Sequence, residues 1–283
     1  MGLIEADLHC HTTASDGLLT PSEVVELARR VGLKAVGITD HDTLRGWTEA
    51  EIAGQKWGVE VLRGIELNTD WQGTEVHILG YELDAESPNL IKRLDFLRQA
   101  REARMTEIVE RLRALNIPIG VEDVRRFASG ESVGRPHVAQ ALIALGYARS
   151  VKDAFEKYIG QGAPAYVPRY KLSPEEGIAL VCEASGVAVL AHPGVHDLQR
   201  GIPGWVECGL RGIEVSHSEH SPEDELYYRR LAEEYNLIIT GGSDFHGEKR
   251  KPGVNLGGWG VSMEVVRQIK EQARKEKERM FLC

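Results

Sequence analysis

Ala6-Asp7-Leu8-His9-Cys10-His11-Thr12, followed by Asp16, is the stretch from which the rest of the chain is best read. It has the composition of a short buried β-strand that runs out into polar residues. Alternate side chains of an extended backbone share a face, so His9 and His11 point the same way and can address one metal ion. Cys10 falls on the opposite, packed side. Two imidazoles supply only half of a usual metal shell, so the remainder must come from elsewhere in the chain.

Outward from this stretch the sequence alternates between helix and strand. Thr20-Pro21-Ser22-Glu23 combines a threonine cap, a proline in the first turn and a glutamate three residues after the cap, and it predicts a helix ending at Gly32. Residues 34–38 form an apolar run that exits into Thr39-Asp40-His41-Asp42. A helix over 47–56 follows, then a strand over 59–62 exiting into Gly64-Ile65-Glu66, and an alternating strand over 74–80 that contains His77. From Pro88 the rhythm changes. Leu90, Leu94, Leu97, Ile108, Leu112 and Leu115 recur at helical spacing, and shorter helical patterns continue over 121–128, 136–145 and 151–158 without a strand signal. This strand-free block reads as an inserted helical subdomain over 99–165, dividing a barrel made of 1–98 and 166–283. The alternation then resumes, with strands exiting at His192-Pro193, at Ser216-His217-Ser218-Glu219-His220 and at Ser243-Asp244-Phe245-His246, and a last helix over 263–278.

The strand exits share one chemistry. His9, His11, Asp16, His41, Glu66, His192, His217, His220, Asp244 and His246 all stand at or just beyond predicted strand ends, and in α/β barrels those ends converge on one face. Of the ten histidines only His137 lies in the helical block. Any one of these residues has an ordinary structural explanation, as a satisfied buried side chain or a helix cap. Repeated placement at strand exits has no packing rationale. Imidazole and carboxylate without thiolate suit zinc, manganese or iron at a hydrolytic centre. The other cysteines, Cys182, Cys208 and Cys283, form no CxxC pair, which argues against both a disulfide framework and a thiolate zinc site.

Composition bounds the reading. At 283 residues the chain fits one α/β barrel, and 42% hydrophobic residues suffice for a sizeable core. No stretch approaches the roughly 20 apolar residues that span a bilayer, and the first residues lack a signal-peptide pattern, so a cytoplasmic protein without a membrane partner is expected. The formal charge of −9 is unfavourable for gripping long nucleic acid. It leaves room for a small anionic substrate, because bound divalent ions turn a local acidic site positive.

Asp7-Leu8-His9-Cys10-His11-Thr12, Asp16, Thr39-Asp40-His41, Gly64-Ile65-Glu66 and Ser243-Asp244-Phe245-His246, in this order, resemble the motifs of the PHP (polymerase and histidinol phosphatase) superfamily. The resemblance covers both barrel portions. It implies a distorted (β/α)7 barrel with a centre of three divalent ions, manganese foremost, with zinc or iron as alternatives. It further implies His9, His11, Glu66 and Asp244 around one ion, Glu66, His77 and His192 around a second, and Asp16, His41 and His246 around a third. A bridging water or hydroxide would be the nucleophile. The insert, with Arg135-Pro136-His137-Val138-Ala139, Tyr166-Val167 and Lys171, and the later Gly212-Ile213-Glu214-Val215 and His220-Ser221, resembles the 3′,5′-nucleoside bisphosphate phosphatases and their relatives, the 5′→3′ exoribonucleases of the RNase AM type.

The activity so implied is hydrolysis of a nucleotide phosphomonoester, chiefly a 3′,5′-nucleoside bisphosphate, with trimming of short RNA 5′ ends at the same site. Arg135 and His137, at a helix start, and Arg169, Lys171 and His217 are the expected substrate contacts, and His220 the expected general acid. No obligate protein partner is evident. Two other readings stay open at this point: a histidinol-phosphate phosphatase, and a non-catalytic PHP interaction module.

Overall fold

The structure, a computed structural model, describes residues 3–127, 134–196 and 198–280. It contains two compact units, one made of Met1–Lys92 with Lys171–Cys283 and the other of Arg93–Tyr170.

The first unit is built on a seven-stranded sheet in sequential order: β1 (Ala6–Cys10), β2 (Ala35–Ile38), β3 (Glu60–Trp71), β4 (Thr74–Tyr81), β5 (Val187–Leu190), β6 (Gly212–His217) and β7 (Ile238–Gly242). Beyond β7, Phe245 returns to the end of β1. The His11 amide donates to the Phe245 carbonyl at 2.9 Å and the Phe245 amide to the His9 carbonyl at 3.3 Å, which draws the sheet toward a closed barrel. The close approach depends on Gly242, where a Cβ would lie 2.4 Å from His9 N and Cβ. The barrel core packs Leu8, Ala35, Leu62, Leu79, Tyr81 and Val189 against Val266 and Ile269 of the C-terminal helix.

Around the strands lie α1 (Pro21–Val31) and α2 (Trp47–Trp57), and in the second half α7 (Pro174–Glu183), α8 (Ile202–Glu207), α9 (Pro222–Glu234) and α10 (Met263–Met280). The start of α1 is the expected capping box: Thr20 Oγ1 accepts from the Glu23 amide, and the Glu23 carboxylate accepts from the Thr20 amide. The helix stops at Gly32, whose φ of 89° releases the chain into β2. The short α8 was not expected; its six residues carry no repeat long enough to read.

Two departures from the sequence reading matter for the site. β3 does not end near Leu62 but continues to Trp71, and β4 returns antiparallel to it through a two-residue turn, Gln72 and Gly73, with φ of 55° and 87°. β4 is antiparallel to β5 as well, and this one reversed strand is the distortion of the otherwise parallel barrel. Glu66 therefore stands within β3 rather than at its exit, paired with the strand that carries His77. The polar run Asn68-Thr69-Asp70 masks the strand in the sequence, although Thr69 is buried and its hydroxyl donates to the Val76 carbonyl at 2.6 Å.

The second unit comprises most of α3 (Pro88–Ala114) with α4 (Val121–Arg125), α5 (Arg135–Ala144), α6 (Val151–Ala154) and a π turn over Phe155–Ile159. Its core joins Met105, Ile108, Leu112, Val138, Leu142 and Ile159. The unit spans 93–170 rather than 99–165 because its first boundary falls inside α3, which runs unbroken and offers no punctuation. The helix expected over 121–128 ends at Arg125, and Ala128 lies outside the described residues.

Candidate metal centre

All ligands expected around the first ion meet at one point. His9 Nε2 lies 3.4 Å from Glu66 Oε2 and 3.4 Å from Asp244 Oδ1, and His11 Nε2 lies 3.1 and 3.2 Å from the same two oxygens. His9 and His11 share a face of β1 as alternation requires, while Cys10 is fully buried and turns its thiol toward the Asp7 carbonyl. On the other side of Glu66, Oε1 lies 2.7 Å from His77 Nδ1 and 3.2 Å from His192 Nε2. One carboxylate thus faces two donor groups with its two oxygens. A third group joins Asp16, His41 and His246 beside His11, with His246 Nε2 at 3.2 Å from Asp16 Oδ1. Glu66, His41, His77, His192, Asp244 and His246 line a cleft of about 250 Å³.

These residues fit divalent ions. His9 Nε2, both ring nitrogens of His11 and Glu66 Oε2 are buried without a hydrogen-bond partner among the described residues. Buried polar atoms are almost always paired, so imidazole nitrogens and carboxylate oxygens that face one another unpaired form a donor set for a cation. The proton equilibria carry the same message. Burial disfavours the charged forms, yet Asp244 and Glu66 pull His11 up to about 10, and Glu66 and Glu75 pull His77 up to about 9. Against the same burial, His41, His77 and His9 hold Glu66 well below the usual carboxylate range. Protons on His11 and His77 balance carboxylates that cannot stay buried without positive charge.

The surrounding chain holds these groups in place. Glu214, fully buried on β6, lies 3.2 Å from His9 Nδ1, which fixes the His9 proton there and leaves Nε2 for the site. The other Glu214 oxygen accepts from the His192 amide at 2.9 Å, where the backbone of His192 has a φ of 25°. Asp7 accepts from the amides of Ser243, Gly257 and His9 and from the Ser243 hydroxyl. Asp40 accepts from the Thr12 amide and from the hydroxyls of Thr12 and Ser15, which pins the loop leading to Asp16. Glu214→Gln is expected to weaken Mn2+ binding about 10- to 100-fold; calorimetric titration showing wild-type affinity would mean that His9 is oriented by something else.

Asp7, Asp40 and Glu214 escaped the sequence reading as site residues. The available signal was an acidic residue within or directly after an apolar strand, which packing alone does not favour. Arg250 and Lys251 escaped it too, as basic residues in a loop. Arg250 lies 2.8 Å from Asp16 Oδ2 and Lys251 2.7 Å from Asp244 Oδ2.

The expected substrate and acid residues fare differently. His220 does not have the freedom of a general acid: its Nδ1 donates to the Val215 carbonyl at 2.8 Å and its Nε2 accepts from the Gly194 amide at 3.0 Å, so both nitrogens are committed to the backbone. His217, fully buried, accepts from the Glu219 amide at Nδ1, which leaves its proton on Nε2, 3.9 Å from Asp244 Oδ2. Lys171 lies 3.2 Å from Glu75, the carboxylate behind His77, and 3.5 Å from Asp70. In the helical unit, the Arg135 guanidinium sits over the rings of Phe155 and Tyr166, and His137 Nδ1 accepts from the Gly134 amide at the start of α5. Arg104, which the sequence reading did not single out, lies beside Arg135, Arg169 and Arg101; burial and these neighbours push it down to about 10.

Comparison with known proteins agrees with this chemistry. The model of the PHP domain matches residues 7–159. The 5′-3′ exoribonuclease Rnm of Escherichia coli is 35% identical over 283 residues, covering 96% of each chain. The 3′,5′-nucleoside bisphosphate phosphatase of Chromobacterium violaceum is 33% identical over 85% of this chain and 86% of its own. A crystal structure from Bifidobacterium adolescentis, named as a metal-dependent phosphoesterase, superposes with a TM-score of 0.82 at 35% identity, over 94% of this chain and 96% of that one. By its ordered motifs, its barrel and these relatives, the chain belongs to the PHP domain family.

Proposed function

We propose that this protein is a metal-dependent phosphoesterase that hydrolyses a phosphomonoester of a nucleotide, releasing phosphate from a 3′,5′-nucleoside bisphosphate, and that the same site trims 5′ nucleotides from short RNA. The observation that carries the reading is Glu66, whose two oxygens face separate sets of imidazoles in a cleft open to a small substrate. His9, His11, Glu66 and Asp244 would hold one ion, Glu66, His77 and His192 a second, and Asp16, His41 and His246 a third. The oxygen and nitrogen donors suit Mn2+ first, with Zn2+ and Fe2+ as alternatives. Such ions lower the pKa of bound water toward about 7 and neutralise charge developing on a transferring phosphoryl group. Glu214 and Asp7 keep the donor atoms aimed, so little reorganisation is needed during the reaction. With His220 committed to the backbone, the role of proton donor passes to His217, whose Nε2 lies 3.9 Å from Asp244 Oδ2. In the helical unit, Arg135 and Arg169 remain the proposed anion contacts, with Arg104 beside them.

No described helix is long and apolar enough to cross a membrane. The relatives named for activity on nucleotides and RNA favour these substrates over histidinol phosphate. The test compares phosphate release by the Mn2+-loaded protein from adenosine 3′,5′-bisphosphate and from histidinol phosphate, with nucleotide release from a 5′-phosphorylated oligoribonucleotide alongside. Turnover of the bisphosphate is expected to exceed that of histidinol phosphate by at least about 100-fold, well within the reach of a site built around specific polar groups. Absence of turnover of both nucleotide substrates with Mn2+, Zn2+ and Fe2+ alike would overturn the proposal.

A further inference from the structure

We infer that Arg250 and Lys251, on the loop after β7, bind the oxygens of the substrate phosphate at the rim of the ion site. The inference deepens the phosphoesterase reading and rests on it for the identity of the natural ligand. The two residues are adjacent in sequence, yet they reach carboxylates delivered by different ends of the chain. Arg250 Nη2 lies 2.8 Å from Asp16 Oδ2, and Lys251 Nζ lies 2.7 Å from Asp244 Oδ2 and 3.2 Å from Glu219 Oε2.

In both aspartates the two oxygens are divided in the same way. Oδ1 of Asp16 faces His246, and Oδ1 of Asp244 faces His9 and His11, while each Oδ2 is turned to the loop. The loop cations therefore stand just outside the donor groups, one beside each of two of them. A phosphate lying against this face of the centre would meet both.

The loop is built to hold them there. The amides of Arg250 and Lys251 both donate to the Gly247 carbonyl, at 2.9 and 3.1 Å, and Gly247 has a φ of 96° that favours glycine. The Leu18 amide donates to the His246 carbonyl at 2.9 Å, tying the start of the turn to the loop that carries Asp16. The two cations thus share a single anchored turn, which lowers the entropy lost when they engage an anion.

Their chemistry suits a phosphate. The Arg250 side chain is 37% exposed and is held by one terminal nitrogen, so the rest of its planar fork can meet two phosphate oxygens while the contact with Asp16 persists. Lys251 is 23% exposed and shares its ammonium among two carboxylates, leaving a donor for a third oxygen. Lys249-Arg250-Lys251 is a basic run in a chain of net charge −9, beside a cleft lined by Glu66, Glu75, Glu219 and Asp244. An anionic substrate approaching that cleft gains from cations at its edge. The competing role is that the pair only orients Asp16 and Asp244, in which case its loss would be felt by the ions and not by phosphate.

Inorganic phosphate, titrated calorimetrically into the Mn2+-loaded protein, separates the two. Arg250→Gln and Lys251→Gln are each expected to weaken phosphate binding about 10-fold, and Arg250→Lys to weaken it less than Arg250→Gln, because it keeps the charge but loses the fork. Mn2+ stoichiometry and affinity should remain within about twofold of wild type. Unchanged phosphate affinity in folded variants would overturn the inference. So would a loss of phosphate affinity that merely follows a loss of Mn2+, or a wild-type protein that binds no phosphate when loaded. If the nucleotide substrates are not turned over but loaded wild type binds phosphate and Arg250→Gln does not, the nucleotide assignment fails while this contact stands.

Discussion

Replacement of Glu66 by glutamine is expected to reduce kcat/KM for the nucleotide substrate by about 1000-fold or more, equivalent to ~4 kcal/mol of transition-state stabilisation. Glu66 is 1% exposed, and its two oxygens serve two donor groups at once, with His9, His11 and His41 around Oε2 and His77 and His192 around Oε1. An amide keeps the volume but removes the charge and offers only one strong acceptor, so at most one group retains a carboxylate-like oxygen. Metal analysis of the same variant should show fewer ions per chain than wild type. Full activity in Glu66→Gln would rule out a bridging role for this carboxylate. Glu66→Asp serves as the companion, because it keeps the charge and withdraws the oxygens by one methylene; it should retain more ion than the glutamine variant.

The second large effect concerns pH. In the metal-free protein His11 and His77 keep their protons up to about 10 and about 9, well above the ordinary 6.5, because the carboxylates around them outweigh burial. An ion that takes those nitrogens must displace the protons. Mn2+ affinity is therefore expected to rise with pH, by about 10-fold per unit for the ion that takes the His11 nitrogen and likewise for the ion that takes the His77 nitrogen, up to about pH 9. For stability without metal the sign is reversed. Groups whose pKa is raised by folding stabilise the fold fully below their unfolded value of about 6.5, and the contribution fades as pH climbs through about 9 to 10. The metal-free protein should thus lose thermal stability toward alkaline pH while added Mn2+ restores more of it there. Titration at pH 6.5, 7.5 and 8.5 in buffers of different ionisation enthalpy counts the protons released, and a pH-independent affinity would contradict the assignment.

The sequence made the donor atoms legible and left much of what holds them illegible. His9, His11, His41, Asp244 and His246 could be read because period-two strands place the end of each run on the same barrel face, and because His and Asp have no packing reason to recur there. The structure brings these residues together with Asp16, Glu66, His77 and His192. The reversal of β4 was invisible, since a strand's direction depends on its partners and its residues read alike both ways. Glu66 consequently read as an exit residue although β3 runs on past it. Glu214 read as one more residue of the strand that ends at His217, because its role rests on a hydrogen bond to His9, 205 residues away. His220 misled for the opposite reason. A histidine after a strand looks chemical in sequence, and only the carbonyl of Val215 and the amide of Gly194 show that its nitrogens are already taken.

The hairpin of β3 and β4 has a consequence for how the centre comes into being. Glu66 and His77 are 11 residues apart and are joined by a tight turn, whereas Asp7 must find Ser243 across 236 residues before His9 and Asp244 are brought to one place. Loop-closure entropy grows with the logarithm of that separation, and long-range pairings are the slow ones. Glu66 and His77 therefore assemble at little entropic expense, as a local unit that can exist while the ends of the chain are still apart. The centre is completed only when the last strand reaches the first, so an ion held by His9, His11, Glu66 and Asp244 would act as a late fastening between the two ends of the polypeptide.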